Sequence, residues 1–211
     1  MSRPVRIGIV DYGMGNRRSV EKAFEHVGAQ PVVSSDHATL RGADGLVVPG
    51  VGAFRSAMEN LRGRELDRLV AERLDAGVPV LGICLGMQLL FDHSTELGGA
   101  DGMGLMAGEV REVDAPGLKL PHIGWNLVTW QRESALTAGL PAAAAFYHVH
   151  TFAVDPAEPA DVLGTGDYGA PFVSAVDRDP LFGVQFHPEK SSRHGLALLE
   201  NFSTICSRIA A

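Results

Sequence analysis

Cys84 lies in Gly82-Ile83-Cys84-Leu85-Gly86, between the apolar run Val78-Pro79-Val80-Leu81 and the segment Met87-Gln88-Leu89-Leu90-Phe91. The order reads strand, tight turn, helix, with a thiol at the apex of the turn. A glycine two residues to either side gives the backbone room to turn sharply and leaves the nucleophile exposed at a sheet's end. About 100 residues later the chain reads Gln185-Phe186-His187-Pro188-Glu189. A nucleophile, a base and an orienting carboxylate are thus all present, and the last two are two residues apart.

Chemistry assigns each a role. The start of a helix stabilises a thiolate through its dipole and its unpaired N–H groups. His187 can take the thiol proton and later protonate a leaving group. Pro188 pushes His187 toward an extended conformation, and in an extended segment residues 187 and 189 point to the same side. Glu189 is therefore expected to hold the second imidazole nitrogen and fix the tautomer. A thioester or amide reaction also needs donors for its oxyanion. Pro49-Gly50-Val51-Gly52 follows a buried strand and can aim N–H groups inward, so the amides of Val51 and Leu85 are the expected donors.

These residues need a frame, and the chain provides its outline. Val5–Val10, Pro31–Ser34, Asp44–Val48 and Pro79–Leu81 read as strands, Arg17–Val27 as a helix that Asn16 can cap, and Glu65–Asp75 as a second helix. The alternation predicts an α/β fold: a mostly parallel central sheet flanked by helices. Ligands in such folds sit beyond the carboxyl ends of the strands, where the motifs above fall. From about Gly108 the pattern shifts to short strands at 109–113, 124–129, 146–154, 161–165, 173–177 and 181–186. An additional antiparallel segment packed on the parallel core is expected, with Pro141–Ala145 as a turn and a closing helix from about Arg193 to Ala211.

Composition narrows the classes. The chain has 211 residues, 45% hydrophobic and 20% charged, with a net charge of −7. One domain over 1–211 with an ample core is expected. The acidic balance, without a basic run, predicts no nucleic-acid partner. No apolar stretch is long enough to span a membrane. Met1-Ser2-Arg3-Pro4 leads straight into a strand pattern, so a cytoplasmic protein without a secretory leader is expected. Two cysteines occur, Cys84 and Cys206, and no structural disulfide is expected. Cys84 and the histidines lack metal-ligand spacing, so no metal site and no cofactor are expected.

The elbow Gly82–Phe91 and the segment Gly183-Val-Gln-Phe-His-Pro-Glu189 resemble the signatures of triad (class I) glutamine amidotransferases. Further segments are similar to the glutaminase subunits of imidazole glycerol phosphate synthases. They are Asp11–Asn16 with Ser19-Val20, Pro49–Phe54, Leu120–Asn126, Phe146–Thr151 and His187–Ser192. The resemblance implies that Cys84, His187 and Glu189 form a catalytic triad that hydrolyses glutamine. It implies an oxyanion hole at Gly50, Val51 and Leu85, and substrate contacts from Gln88, Glu96, His150 and Thr151. Without it, Gln88 reads as a helix-surface amide and Glu96 as a solvated loop charge. It places Asn16, Trp125, Asn126, Tyr147 and Lys190 at a partner interface and ammonia gate. The implied partner is a (β/α)8-barrel cyclase subunit in histidine biosynthesis. Arg17, His148 and Phe152 depart from the family pattern. A triad glutaminase of another ammonia-using pathway and a catalytically silent docking module remain the alternatives.

Overall fold

A computed structural model describes residues 3–209. In chain order the elements are β1 (Arg6–Val10), α1 (Arg17–His26), β2 (Gln30–Ser34), α2 (His37–Arg41), β3 (Gly45–Gly50), α3 (Phe54–Arg62), α4 (Leu66–Asp75), β4 (Val80–Cys84) and α5 (Leu85–Gln88). There follow β5 (Phe91–Ser94), β6 (Ala100–Asp101), β7 (Met106–Glu112), β8 (His122–Trp130), β9 (Ala143–His150), β10 (Phe152–Pro156), β11 (Val162–Asp167), β12 (Pro171–Arg178), β13 (Leu181–Val184) and α6 (Ser192–Ile209).

Strands β2, β1, β3, β4 and β13 lie side by side and parallel. All residues of β3 and β4 are buried. Their near-continuous apolar runs reflect cover on both faces. One face packs Val48, Leu46 and Val80 against Phe54, Leu61, Leu69 and Met87. The other packs Ile9, Val47 and Ile83 against Phe24, Phe182, Leu199 and Phe202 of the α1 and α6 side. Helix α3 forms because Phe54, Ala57, Met58 and Leu61 recur at helical spacing and are buried, while Arg55 and Glu59 face water. No helix was expected there, although the spacing is present in the sequence.

Four expectations need correction. The segment after the elbow is one helical turn, and Phe91 already begins β5. The span 146–154 is two strands, β9 and β10, interrupted at Thr151. Ala143, Ala144 and Ala145 are strand residues of β9, paired with β8, where a turn was expected. The antiparallel part does not stack on the parallel core. It continues the same sheet: β12 pairs antiparallel with β13 and leads on to β10 and β7, while β11, β8 and β9 branch from it. Ala210 and Ala211, in the expected closing helix, lie outside the described residues. Among the described residues no helix is long and apolar enough to cross a membrane.

Register decides what meets at the sheet's carboxyl edge. Gly50 at the end of β3 is opposite Cys84 at the end of β4. Val184 of β13 is opposite Ile83. The chain beyond β13 therefore emerges beside Cys84 and reaches His187 three residues later.

Candidate active site

Cys84 occupies φ 55°, ψ −115°. A non-glycine residue there is strained by roughly 1–3 kcal/mol. The two flanking glycines do not carry this turn dihedral; the cysteine does. Gly82 and Gly86 serve close approach. A Cβ on Gly86 would lie 1.8 Å from the Val48 carbonyl oxygen, and one on Gly82 would lie 2.7 Å from the Met87 amide nitrogen. The turn is thus pressed against β3 and back onto β4. Because α5 has four residues, no long helix dipole faces the thiol.

The thiol opens onto a cavity of about 290 Å³ at the sheet's carboxyl edge. Of the expected site residues, Val51, Leu85, Gln88, Glu96, His150, Thr151, His187 and Lys190 line it. Gly50 sits just behind, where an added Cβ would come within 2.8 Å of Gly86 N, Leu85 Cβ and Tyr12 Oη. The buried Tyr12 hydroxyl donates to the Pro49 carbonyl at 2.6 Å and so fixes the peptide that leads into the Gly50-Val51-Gly52 loop. Val51 itself is 41% exposed at the cavity rim.

His187 Nδ1 and Glu189 Oε1 are 2.9 Å apart, and both side chains are buried. The contact was expected, but its route was not. Pro188–Lys190 form a 3-10 turn, so the carboxylate curls back under the ring instead of projecting along an extended segment. Asn16 does not cap α1; its amide donates to the same Glu189 oxygen at 3.2 Å. Ser191 Oγ donates to the His187 carbonyl at 2.6 Å, and His187 N donates to the Tyr147 carbonyl. Burial pulls the imidazole toward neutrality. Hydrogen bonds and charge interactions with Cys84 and Glu189 outweigh it and raise His187 to about 9.

That balance makes a prediction. The imidazolium is favoured by folding, so its stabilisation is complete below the ordinary value of 6.5 and is lost as pH rises through about 9. Titration of the His187 ring by 15N NMR should give a midpoint near 9. In Glu189→Gln the midpoint should fall, because one source of the raised value is gone. An unmoved midpoint in that variant would show that Glu189 does not hold the ring.

Gln88 is buried. Its Nε2 donates to the Phe152 carbonyl at 2.9 Å and to Gln185 Oε1 at 3.0 Å. Both its N–H groups are thereby used, and only its oxygen is left for a ligand. Glu96 Oε2 accepts from Phe54 N at 2.7 Å, which ties it to the start of α3. Gln185 was missed in the sequence, although it stands in the His187 motif; its Nε2 lies 3.7 Å from Cys84 Sγ. Pro121, Val149 and Phe152 also line the cavity. Tyr12 was missed as well, since a tyrosine beside glycines carries no signal of what it will support.

The outward residues separate into two faces of β8. Trp125 is 56% exposed, flanked on the same face by exposed Ile123 and Leu127, and its ring lies edge-on to Tyr147 of β9. Lys190 Nζ stands 6.0 Å from the Tyr147 ring centre. Asn126 points to the other face, where its amide donates to the Asp167 carbonyl at 2.7 Å. Among the departures from the family pattern, Arg17 pairs with Asp11, His148 is fully buried, and Phe152 borders the cavity.

An arrangement of this kind suits acyl transfer: a buried base bonded to its carboxylate, a strained thiol, and amides beside it. Comparison with known proteins is consistent with it. The family model "Glutamine amidotransferase class-I" matches residues 8–206. The chain is 51% identical over 206 residues to "Imidazole glycerol phosphate synthase subunit HisH" of Symbiobacterium thermophilum, covering 97% of each chain. It is 48% identical over 199 residues to the protein of the same name from Moorella thermoacetica, covering 94% of each. Among solved structures, PurLQS from Thermotoga maritima superposes with a TM-score of 0.77 at 18% identity, covering 96% of this chain and 99% of that one. A putative GMP synthase protein from Thermoplasma acidophilum gives 0.74 at 21%, covering 99% and 96%. These two likenesses bear on the fold alone.

Proposed function

The chain belongs to the class-I glutamine amidotransferases, among the imidazole glycerol phosphate synthase subunits, and from that premise we propose that it makes ammonia from glutamine at Cys84 and hands it to a (β/α)8-barrel cyclase subunit. The observation that carries the chemistry is the buried His187–Glu189 pair at 2.9 Å, whose histidine lines the same cavity as Cys84.

In this reading Cys84 Sγ attacks the side-chain amide carbon of glutamine. The oxyanion is met by the amides of Leu85 and Val51. His187 gives its proton to the departing nitrogen, and the C–N bond breaks to leave a γ-glutamyl thioester and ammonia. His187 then takes a proton from water, whose oxygen displaces the thiolate and releases glutamate. Glu189 stays ionised and holds the ring throughout. Glu96 and the Gln88 oxygen suit the substrate's α-ammonium, since both can only accept there. His150 and Thr151 line the same cavity.

The ammonia is consumed by the partner, which closes an imidazole ring to give imidazole glycerol phosphate and an aminoimidazole carboxamide ribotide. The exposed strip Ile123, Trp125 and Leu127, with Tyr147, Lys190 and Asn16 beside the triad, supports a docking face at that end of the sheet. Mixing the chain with a barrel cyclase should give a one-to-one complex that makes imidazole glycerol phosphate from glutamine. Trp125→Ala should weaken the complex at least about tenfold, as expected for a central aromatic anchor. A complex that forms with undiminished affinity in that variant would remove this face from the interface. Failure of any complex to form would favour another ammonia-using pathway.

A further inference from the structure

Three histidines that take no part in the proposed proton transfers are gathered at one wall of the cavity, His150 lining it and His122 and His148 beside His150. His122, His148 and His150 are all buried. The antiparallel register places His122 directly opposite His150 and Gly124 opposite His148. His122 stacks on His148 at 5.2 Å and on Tyr168 at 4.1 Å. Among the described residues no group of His, Cys, Asp and Glu is arranged to hold a metal. Every nitrogen of the three rings already has a partner.

Those partners fix where each proton sits. The Phe152 carbonyl can only accept, so His150 Nδ1, 2.9 Å away, carries the hydrogen. His150 Nε2 is then an acceptor, and His122 Nδ1 donates to it at 3.1 Å. His122 Nε2 is in turn an acceptor, and it faces Asn126 Nδ2 at 3.3 Å. The second Asn126 hydrogen goes to the Asp167 carbonyl. At the inner end the Phe152 carbonyl also accepts from Gln88 Nε2. A single polarity therefore runs from β8 to the wall of the cavity. Burial, with each ring discouraging charge on its neighbours, keeps His148 and His150 neutral, at about 3 and about 4, so the polarity survives at neutral pH.

We propose that His122 and Asn126 are positioning residues for glutamine: they lock His150 in its Nδ1–H tautomer, so that His150 and Gln88 together anchor the Phe152 carbonyl and Gln88 presents its oxygen to the substrate ammonium. In the opposite tautomer a bare His150 Nδ1 would face the Phe152 oxygen lone pair to lone pair, and its Nε2–H would meet the His122 Nδ1–H. The Gln88 amide, which shares that carbonyl, would then be held by Gln185 alone. Asn126 is the outermost member, on the strand whose far face carries Trp125. The inference rests on the proposed glutaminase reading for the identity of the substrate.

Labelling of Cys84 in the full chain by 6-diazo-5-oxo-L-norleucine, a glutamine-like electrophile, separates binding from chemistry. His122→Phe should raise the half-saturating concentration about five- to tenfold, the scale of one buried hydrogen bond left unmade, while the limiting labelling rate changes less than about twofold. His122→Asn supplies an N–H near the lost Nδ1 and should restore most of the affinity. Ser174→Ala, which removes a hydroxyl bonded to His148 alone, should change neither quantity. Equal weakening by Phe and Asn at position 122 would overturn the proposal in favour of simple packing, as would unaltered affinity in His122→Phe. Independently of any variant, 15N NMR should find His122 and His150 both in the Nδ1–H tautomer, and an Nε2–H tautomer at His150 would also overturn it. If glutamine gives the wild-type chain no protection, the glutaminase reading itself fails, which is a different outcome from either.

Discussion

Replacing Cys84 by alanine should stop glutamine-dependent synthesis in the complex and leave synthesis from free ammonia close to normal. The reason lies in the separation of tasks. The thiol is held at a strained φ of 55° at the end of β4, inside a cavity lined by its own chain. Its proposed work ends when ammonia is released, and the acceptor is bound elsewhere. Loss of the nucleophile from a triad acting as a unit costs on the order of 10⁶ in rate. His187→Asn should cost nearly as much, and Glu189→Gln less, because the carboxylate orients the base without moving the proton. The comparison of glutamine with ammonium salts as nitrogen source separates this assignment from misfolding, since a collapsed chain would lose both. Retained glutamine-dependent turnover in Cys84→Ala would sink the assignment.

Val51→Pro should lower the glutaminase rate by about 10²–10³, the value of one oxyanion donor, with little change in affinity for the partner. Proline removes the N–H and also fixes φ at position 51, so the measured partner affinity serves as the check that the loop keeps its place. The loop's surroundings suit the proposed role. Tyr12 pins the Pro49 carbonyl, and Gly50 is packed so tightly against Leu85, Gly86 and Tyr12 that any Cβ would displace it. Above that fixed point Val51 is exposed, and Gly52 takes φ 105°, which glycine tolerates. A fixed base under an exposed peptide followed by glycine suits control by a partner. The isolated chain should therefore hydrolyse glutamine slowly, and an occupied cyclase should raise kcat by at least the value of one donor. Normal activation of Val51→Pro, measured as glutamate release with and without the partner, would show that another amide serves the oxyanion.

The local chemistry was legible in the chain because short motifs fix short-range geometry. Gly82–Gly86 after an apolar run had to be a turn on a strand's end. A histidine and a glutamate two residues apart were expected to meet along an extended segment; they meet instead across a 3-10 turn that follows the extended His187. The alternation of strand and helix up to Cys84 announced a parallel sheet, and the parallel sheet placed the motifs at its carboxyl edge. What pairing and packing decide was not legible. The helix after the elbow stops after one turn because Phe91 pairs in β5 with Met106 of β7, a partner no local pattern names. The glycines flanking Cys84 owe their identity to the Val48 carbonyl and to Met87, which only the folded sheet brings near. Gln88 looked like a surface amide and is buried, because β10 and Gln185 close over it. The register of β8 against β9, set by how two distant segments align, turns two ordinary histidines, His122 and His150, into one polar relay and leaves Trp125 facing outward. Period and spacing set which way a side chain leaves its own strand; what it meets there is decided by strands far away in sequence, and so by the tertiary structure alone.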